Sequence, residues 1–518
     1  MSTSQKLGRP AGPPGVRPSP AAAGRVRAAL TLGSVLLGYL VVPMAMSGTS
    51  VALPHIAADL GGSGAALQWV VTGYFLAASC LMLVAGSLGD LVGRRRIFTI
   101  GAVVYAVSTA GAALAPHVLL LDAARTLSGV GAAGVMAGGG ALLASTFEGS
   151  ARTRAFAMVG TTVGVGLAFG PTLTGWLVSA LGWRAMFGAF AGVGVLLVAG
   201  TRVMRESAAD RRPRFDLPGT AAFVLGVVGL MYGANQVAGA GWTSPVVLAY
   251  IGAGLLLLVL FGFLERRTDH PVLDLALLNN GPFLGWLLAA LTTAVGTVGV
   301  LVYLPTYLQG AAGFSAGDAG TMMLAMTLPV LAVPPLVGRL VNQGVSAKRL
   351  IVLAIALIAG GNAWMTVLGP GSGVAELLGP LLLIGVGNGL AAALVDAQAM
   401  EHVAADRVGM ASGLLNTARG GANALALAVF GAALISLMQS QIGGRELAGR
   451  VTAGDLSGGS RPLLIEQYTS AWHTVLWTVA TLCAISGVVV HRLLTARVAE
   501  RAGTGDPDMD PTDPGERG

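Results

Sequence analysis

Charge is scarce in this chain: only 11% of its 518 residues are Asp, Glu, Lys or Arg, against 54% hydrophobic. A water-soluble surface needs a larger share of charge, so a soluble protein of this length is excluded. Cysteine is nearly absent. Cys80 and Cys483 both sit inside apolar runs, which excludes a disulfide framework and a cysteine zinc site and leaves two buried thiols. Six histidines (His55, His117, His270, His402, His473 and His491) fall mostly at helix ends or loops. They lack metal-ligand spacing, so neither a metal, a cofactor nor the catalytic constellation of a membrane enzyme is expected. Acids are missing where they would be most informative: none occurs between Ala28 and Pro54. The late acids Asp506, Asp508, Asp510 and Asp513 lack the glycine and distal glutamate of a calcium loop.

What the chain has is length without charge. Fourteen apolar stretches are each long enough to cross a bilayer, for which about 20 residues cover roughly 30 Å of hydrocarbon. Of 31 basic residues, only Arg125 and Arg419 fall well inside them. With the N-terminus placed inside, 25 basic residues lie on the inner side and four (Arg184, Arg445, Arg450 and Arg461) on the outer. That asymmetry predicts both termini in the cytoplasm and excludes nucleic acid as the reason for the net charge of +7. The fold class expected is an all-α polytopic membrane protein of the cell membrane, in contact with lipid. Its parts are a disordered tail at 1–27, six spans at 28–204, an inserted pair at 205–270, six spans at 271–492 and a disordered tail at 493–518. Two short basic, glycine-containing turns recur, Gly86 to Arg96 and Gly338 to Arg349, as expected of two repeated six-helix halves. The polar, glycine-rich segment 439–470 predicts a long external loop.

Several motifs carry more. Gly86-x-x-x-Asp90-x-x-Gly93-Arg94-Arg95 combines a tight turn with an acid at the membrane edge that needs a cationic partner or a helix N-terminus. Leu121-x-x-x-Arg125-x-x-x-Gly129 puts an arginine deep in an apolar span, with Asp122 one turn away on the same face. Two readings fit that pair: a fixed structural ion pair, and a coupling pair that takes up and loses a proton. Snorkelling of Arg125 to the outer surface is a third. Gly166-x-x-x-Gly170-Pro171-x-x-x-Gly175 gives close helix packing interrupted by a proline. Asn416 and Arg419 form a polar face in the thirteenth span. Asp396, near a helix end, reads as solvated. Trp286, Met322, Met323, Met326 and Trp364 are candidates to line a cavity.

Together these motifs resemble the major facilitator superfamily, and fourteen spans resemble its drug:proton antiporter group of multidrug exporters. The first motif is similar to the loop between helices two and three, the second to the buried-arginine motif (with Ser128 in place of a common glutamine), the third to the antiporter motif (with Thr174 in place of a glycine). Trp183-Arg184-x-x-Phe187, Tyr303-Leu-Pro-x-Tyr-Leu-Gln309 and Ser412-Gly-Leu-Leu-Asn-Thr-x-Arg419 fit as well. The resemblance implies a major facilitator fold, two six-helix bundles plus two inserted helices, that exports small amphipathic molecules by alternating access. It implies a small-molecule substrate and protons as partners, in a monomer. Gly86, Asp90, Gly93, Arg94 and Arg95 would form a gate; Asp122, Arg125 and Gly129 would serve coupling; Gly166, Gly170, Pro171 and Gly175 would seal the halves. One departure matters. Nine positions before Pro54, where such antiporters carry an acid, stands Ala45. Uniport or import on the same fold, and a non-transporting sensor, are the alternatives.

Overall fold

The computed structural model describes residues 20–61, 64–206, 217–267, 280–369, 371–403, 408–457 and 459–503. Some side chains inside helices, those of Asp90 and Asn416 included, lie outside the description. Every regular element among the described residues is a helix. The chain runs α1 (Pro20–Leu60), α2 (Gly64–Val92), α3 (Arg94–Ala113), α4 (Val118–Thr146), α5 (Gly149–Gly200), α6 (Leu217–Ala240) and α7 (Pro245–Glu265). It continues with α8 (Gly281–Gly310), α9 (Ala316–Met322), α10 (Leu324–Asn342), α11 (Ala347–Trp364), α12 (Val374–Glu401), α13 (Val408–Ile442), α14 (Arg445–Thr452) and α15 (Arg461–Gly503). Hydrocarbon offers backbone groups no partner, so each crossing segment must satisfy its own hydrogen bonds, and apolar runs of this length do so as helices. Twelve helices among the described residues are long and apolar enough to cross a membrane, and Ala66–Met82 is a shorter apolar helix. One of the twelve, Arg154–Val203, is 50 residues long. It breaks at Gly182, whose φ of 82° and ψ of 165° no helix contains. A side chain at that φ would be strained, so glycine permits the reversal.

The peripheral helices show what surrounds the bundle. The most apolar window of α7 is only 17% buried, whereas that of α8 is 78% buried. Leu248, Leu255, Leu256 and Val259 of α7 are exposed. A helix apolar all round with that much exposed surface is stable in lipid and not in water. Near-central helices meet backbone to backbone. A Cβ on Gly131 of α4 would collide with the Tyr105 nitrogen of α3, and one on Gly385 of α12 with the Met326 carbonyl of α10. Loss of side-chain bulk at such points allows close approach where no hydrophobic force drives helices together.

Contacts between α1–α5 and α8–α15 gather at the end that holds the turns at Gly61, Gly182 and Gly313. There Gln309 Nε2 donates to Val51 O at 3.0 Å, Thr172 Oγ1 to Gly320 O at 2.7 Å, and Thr327 Oγ1 to Ala168 O at 2.8 Å. The Gly317 amide donates to Ser179 Oγ at 3.0 Å. Towards the other end, where α1 begins and α15 ends, a Cβ on Gly86, Gly160, Gly338 or Gly421 would meet nothing within 4 Å. Among the described residues, the first end is the one closed by hydrogen bonds between the halves.

Three expectations are corrected. The segment 439–470 is largely helical: α13 runs to Ile442, α14 fills Arg445–Thr452 and α15 starts at Arg461. In α14, Ala448 and Val451 are fully buried, so an amphipathic turn hides inside a polar-looking stretch. Helix α1 begins at Pro20 and α15 reaches Gly503, so helix extends into both expected tails; residues 1–19 and 504–518 lie outside the described residues. Trp364 is 49% exposed, with its ring over Gly379, whereas Trp286, Met322, Met323 and Met326 are buried.

Candidate functional site

The Gly86–Arg95 loop is built around a break. Helix α2 ends at Val92, Gly93 takes φ 120°, and α3 starts at Arg94. A residue the sequence reading did not single out, Glu206, closes this site. Its Oε1 accepts the Arg95 amide at 3.1 Å, and Oε2 lies 3.8 Å from Arg96 Nε. Arg95 Nε donates to Thr201 O at 3.0 Å. A carboxylate on the first turn of a helix is favoured by the partial positive charge of the exposed amides. A Cβ at Gly93 would come within 2.5 Å of Glu206 Oε1, so only glycine admits this carboxylate. The Asp90 side chain lies outside the description.

Arg125 is 1% exposed on α4. Its Nε donates to Val70 O of α2 at 3.1 Å and its Nη1 to Ser128 Oγ at 3.5 Å. The guanidinium carbon lies 4.3 Å from the Tyr74 ring centre and 5.4 Å from that of Phe187. Stacking on aromatic faces partly compensates a desolvated cation. Snorkelling is thereby ruled out for this conformation. Asp122 is 7% exposed, and it forms no ion pair with Arg125 among the described residues; Asp122 Oδ1 and Arg125 Nη2 have no hydrogen-bond partner. The two groups share a helix face but do not meet. Gly129 permits the approach of α2, since a Cβ there would press on the Tyr74 carbonyl.

The glycines of α5 face two partners in turn. A Cβ on Gly166 would collide with the Leu40 carbonyl of α1, one on Gly170 with Ser47 Oγ of α1, and one on Gly175 with the Ala316 carbonyl of α9. The Pro171 carbonyl lies against Gly320 of α9. The helix is therefore wedged between α1 on one side and α9–α10 on the other. Further along, Arg184 pairs with Asp59 of α1, which also accepts Trp183 Nε1 at 3.1 Å. That pins the reversal at Gly182 to the end of α1.

On α13, Arg419 is ion-paired with Asp396 of α12, Nη2 to Oδ1 at 2.9 Å and Nη1 to Oδ2 at 3.4 Å. Asp396 is half exposed, as expected, but it has a partner. Asn416 lies outside the described side chains. In α1, Ala45 is fully buried, and the nearby Ser47, Thr49 and Ser50 hydroxyls donate to backbone carbonyls of their own helix.

A second region escaped the sequence reading. Gln68 of α2 is 4% exposed, and among the described residues neither its Oε1 nor its Nε2 has a hydrogen-bond partner. It lies against Gly431 of α13 and the Tyr303 hydroxyl of α8. A buried polar group without a partner costs about 1–3 kcal/mol, and native interiors hold few of them.

The family model of the major facilitator superfamily matches residues 35–427. The chain belongs to the major facilitator superfamily. It is 31% identical over 415 residues to the multidrug resistance protein Stp of Mycobacterium tuberculosis, covering 80% of this chain and 77% of that one. It is 32% identical over 400 residues to the puromycin resistance protein pur8 of Streptomyces alboniger (76% and 79% covered). The cephamycin export protein CmcT of Amycolatopsis lactamdurans is 34% identical over 388 residues (73% and 79%). Among solved structures, an inward-facing bacterial homologue of the lysosomal transporter Spinster aligns with a TM-score of 0.63 at 15% identity, over 93% of this chain and 99% of that one. This likeness bears on the fold. The protein is a superfamily transporter, not an enzyme.

Proposed function

We propose that the protein exports small amphipathic molecules, foreign antibiotics or the cell's own metabolites, from the cytoplasm by alternating access in exchange for protons. The observation that carries this reading is closure at one end, where α5 and α1 are hydrogen-bonded to α9, α10 and α8. Relatives named for puromycin resistance and cephamycin export support the cargo class. The protein lies in the cell membrane as a monomer with both termini in the cytoplasm, so the closed end faces outward. Counting both arms of the broken helix and adding Ala66–Met82 gives fourteen crossings. Two six-helix units, 28–204 and 271–492, move about α5, and the pair at 205–270 is inserted between them. The loop at Gly86, Asp90, Gly93, Arg94 and Arg95 is the inner gate, with Glu206 as its catch.

Asp122 is the candidate proton carrier. Its Oδ1 has no partner and Arg125 lies one turn along the helix with Nη2 equally unpaired. A rotamer change would bring the two together and separate them again. Pairing favours the charged carboxylate and dry separation the protonated one. Ala45 supports a second reading, uniport or import without protons.

Purified protein in proteoliposomes, with an imposed pH gradient and puromycin, a cephamycin and actinorhodin as probes, decides between them. Antiport predicts cargo accumulation that collapses with the gradient, and cargo-driven proton release that disappears in Asp122→Asn. Release at wild-type stoichiometry in that variant assigns the proton elsewhere. Cargo movement without proton flux establishes uniport.

A further inference from the structure

The wall that faces Gln68 is aromatic. Tyr303 stacks on Phe430 with ring centres 5.5 Å apart and planes 8° apart. Phe430 meets Trp472 edge-on at 5.4 Å, and Tyr307 meets Trp472 at 5.7 Å and Tyr468 at 5.1 Å. These rings come from α8, α13 and α15, whereas Gln68 comes from α2 across the seam. Polar atoms at the wall are poorly served. Among the described residues, the Tyr303 hydroxyl reaches only Leu427 O, at 3.4 Å, and Gln309 Oε1 has no partner. An amide with both ends unsatisfied gains nothing from the closed seam. It gains partners once α2 parts from α13. An aromatic wall then offers flat faces for stacking, and the amide offers donors and an acceptor side by side.

We propose that Gln68, with the rings of Tyr303 and Phe430, forms a cargo-recognition subsite that opens with the seam and takes planar aromatic molecules bearing neighbouring hydroxyl and carbonyl groups. This rests on the export reading and narrows its substrate class. An amide among rings discriminates by the partners it would otherwise leave unmet, which makes hydrogen-bonding groups on the cargo a requirement rather than a bonus.

The test uses the full chain in detergent, with 1,8-dihydroxyanthraquinone as the probe and ethidium as a planar cationic comparison, both read by quenching of protein fluorescence. Gln68→Met keeps the shape and removes the amide. It is expected to fold, to raise Tm, to weaken dihydroxyanthraquinone binding at least tenfold and to change ethidium binding less than twofold. Gln68→Asn keeps the amide on a shorter arm and is expected to fall between. Equal binding of dihydroxyanthraquinone by wild type and Gln68→Met overturns the proposal, as does no binding by the wild type or equal loss for both probes. The export reading fails separately: a wild type that binds dihydroxyanthraquinone yet moves no compound in proteoliposomes keeps the subsite and loses the transporter role proposed above.

Discussion

Two seams join the halves at the closed end, and they are made differently. The seam of α5 against α9 and α10 is bridged by hydrogen bonds. Hydroxyls of Thr172 and Thr327 and the amide of Gly317 all find partners across it, and glycines let backbones touch. The seam of α2 against α13 buries Gln68 with no partner among the described residues and rests on rings. A contact between matched polar groups and small residues holds one geometry. A contact that buries an unmet amide is poised to open. In the reading proposed here the first is the pivot and the second is the mouth.

The largest expected effect breaks the pivot. Gly175→Leu would drive a side chain into the Ala316 carbonyl. Overpacking of this kind costs about 1–3 kcal/mol, and here the whole cost falls on the closed end. Transport in proteoliposomes should drop by about tenfold or more, since 1.4 kcal/mol is a factor of ten. Gly192→Leu, on the exposed face of the same helix's second arm where a Cβ meets nothing within 4 Å, should stay within twofold. Equal losses in the two variants would show that helix bulk, not the seam, matters. A smaller effect is expected from Thr172→Val, which removes one cross-seam hydrogen bond worth about 1 kcal/mol. Spin labels at exposed Leu181 and Leu463 should then report a larger open fraction at this end. An unchanged distance distribution would mean that the two seams differ in appearance only.

The contrast between the seams also shows what the sequence could and could not disclose. Apolar length fixed the helices, because nothing else explains so many uncharged runs. Even so, Gly182 joins two of them and α14 interrupts an apparent loop. Arg125 stood out because a charge in hydrocarbon is rare, but the separation of Asp122 from it did not, since one turn of spacing predicts contact without settling rotamers. Glu206 was invisible for a simpler reason. It lies 111 positions from the Arg95 amide it accepts, in a stretch without any pattern. Gln68 was invisible because an amide in an apolar helix has an ordinary reading until its surroundings are known to be rings.

The smallest effect concerns a third contact at the mouth. After α14, Gly454 lies against Pro54 of α1 and the Thr306 carbonyl of α8, so this turn touches both halves. Its shape is held by Asp455, which accepts Arg450 Nε at 2.9 Å and Nη2 at 2.6 Å and the Ser457 amide at 3.0 Å. Partial burial of Asp455 works to raise its pKa, but the hydrogen bonds from Ser457 and Arg450 together outweigh it and hold the carboxyl below its usual value. A depressed carboxylate contributes stability that is fully present above the unfolded-state pKa and is lost as pH falls through the folded value. Protonation of Asp455 therefore should not affect the turn between pH 6 and 8 and should loosen it only under acid conditions, below the ordinary carboxylate range of about 4. Because the pair is partly exposed, the loss should not exceed about 1 kcal/mol. Asp455→Asn should mimic the acid form at neutral pH, lowering Tm slightly and abolishing any acid-induced change in the Leu181–Leu463 distance. If the wild type loosens between pH 6 and 8 instead, another group controls the mouth, and the turn does not belong to the opening seam.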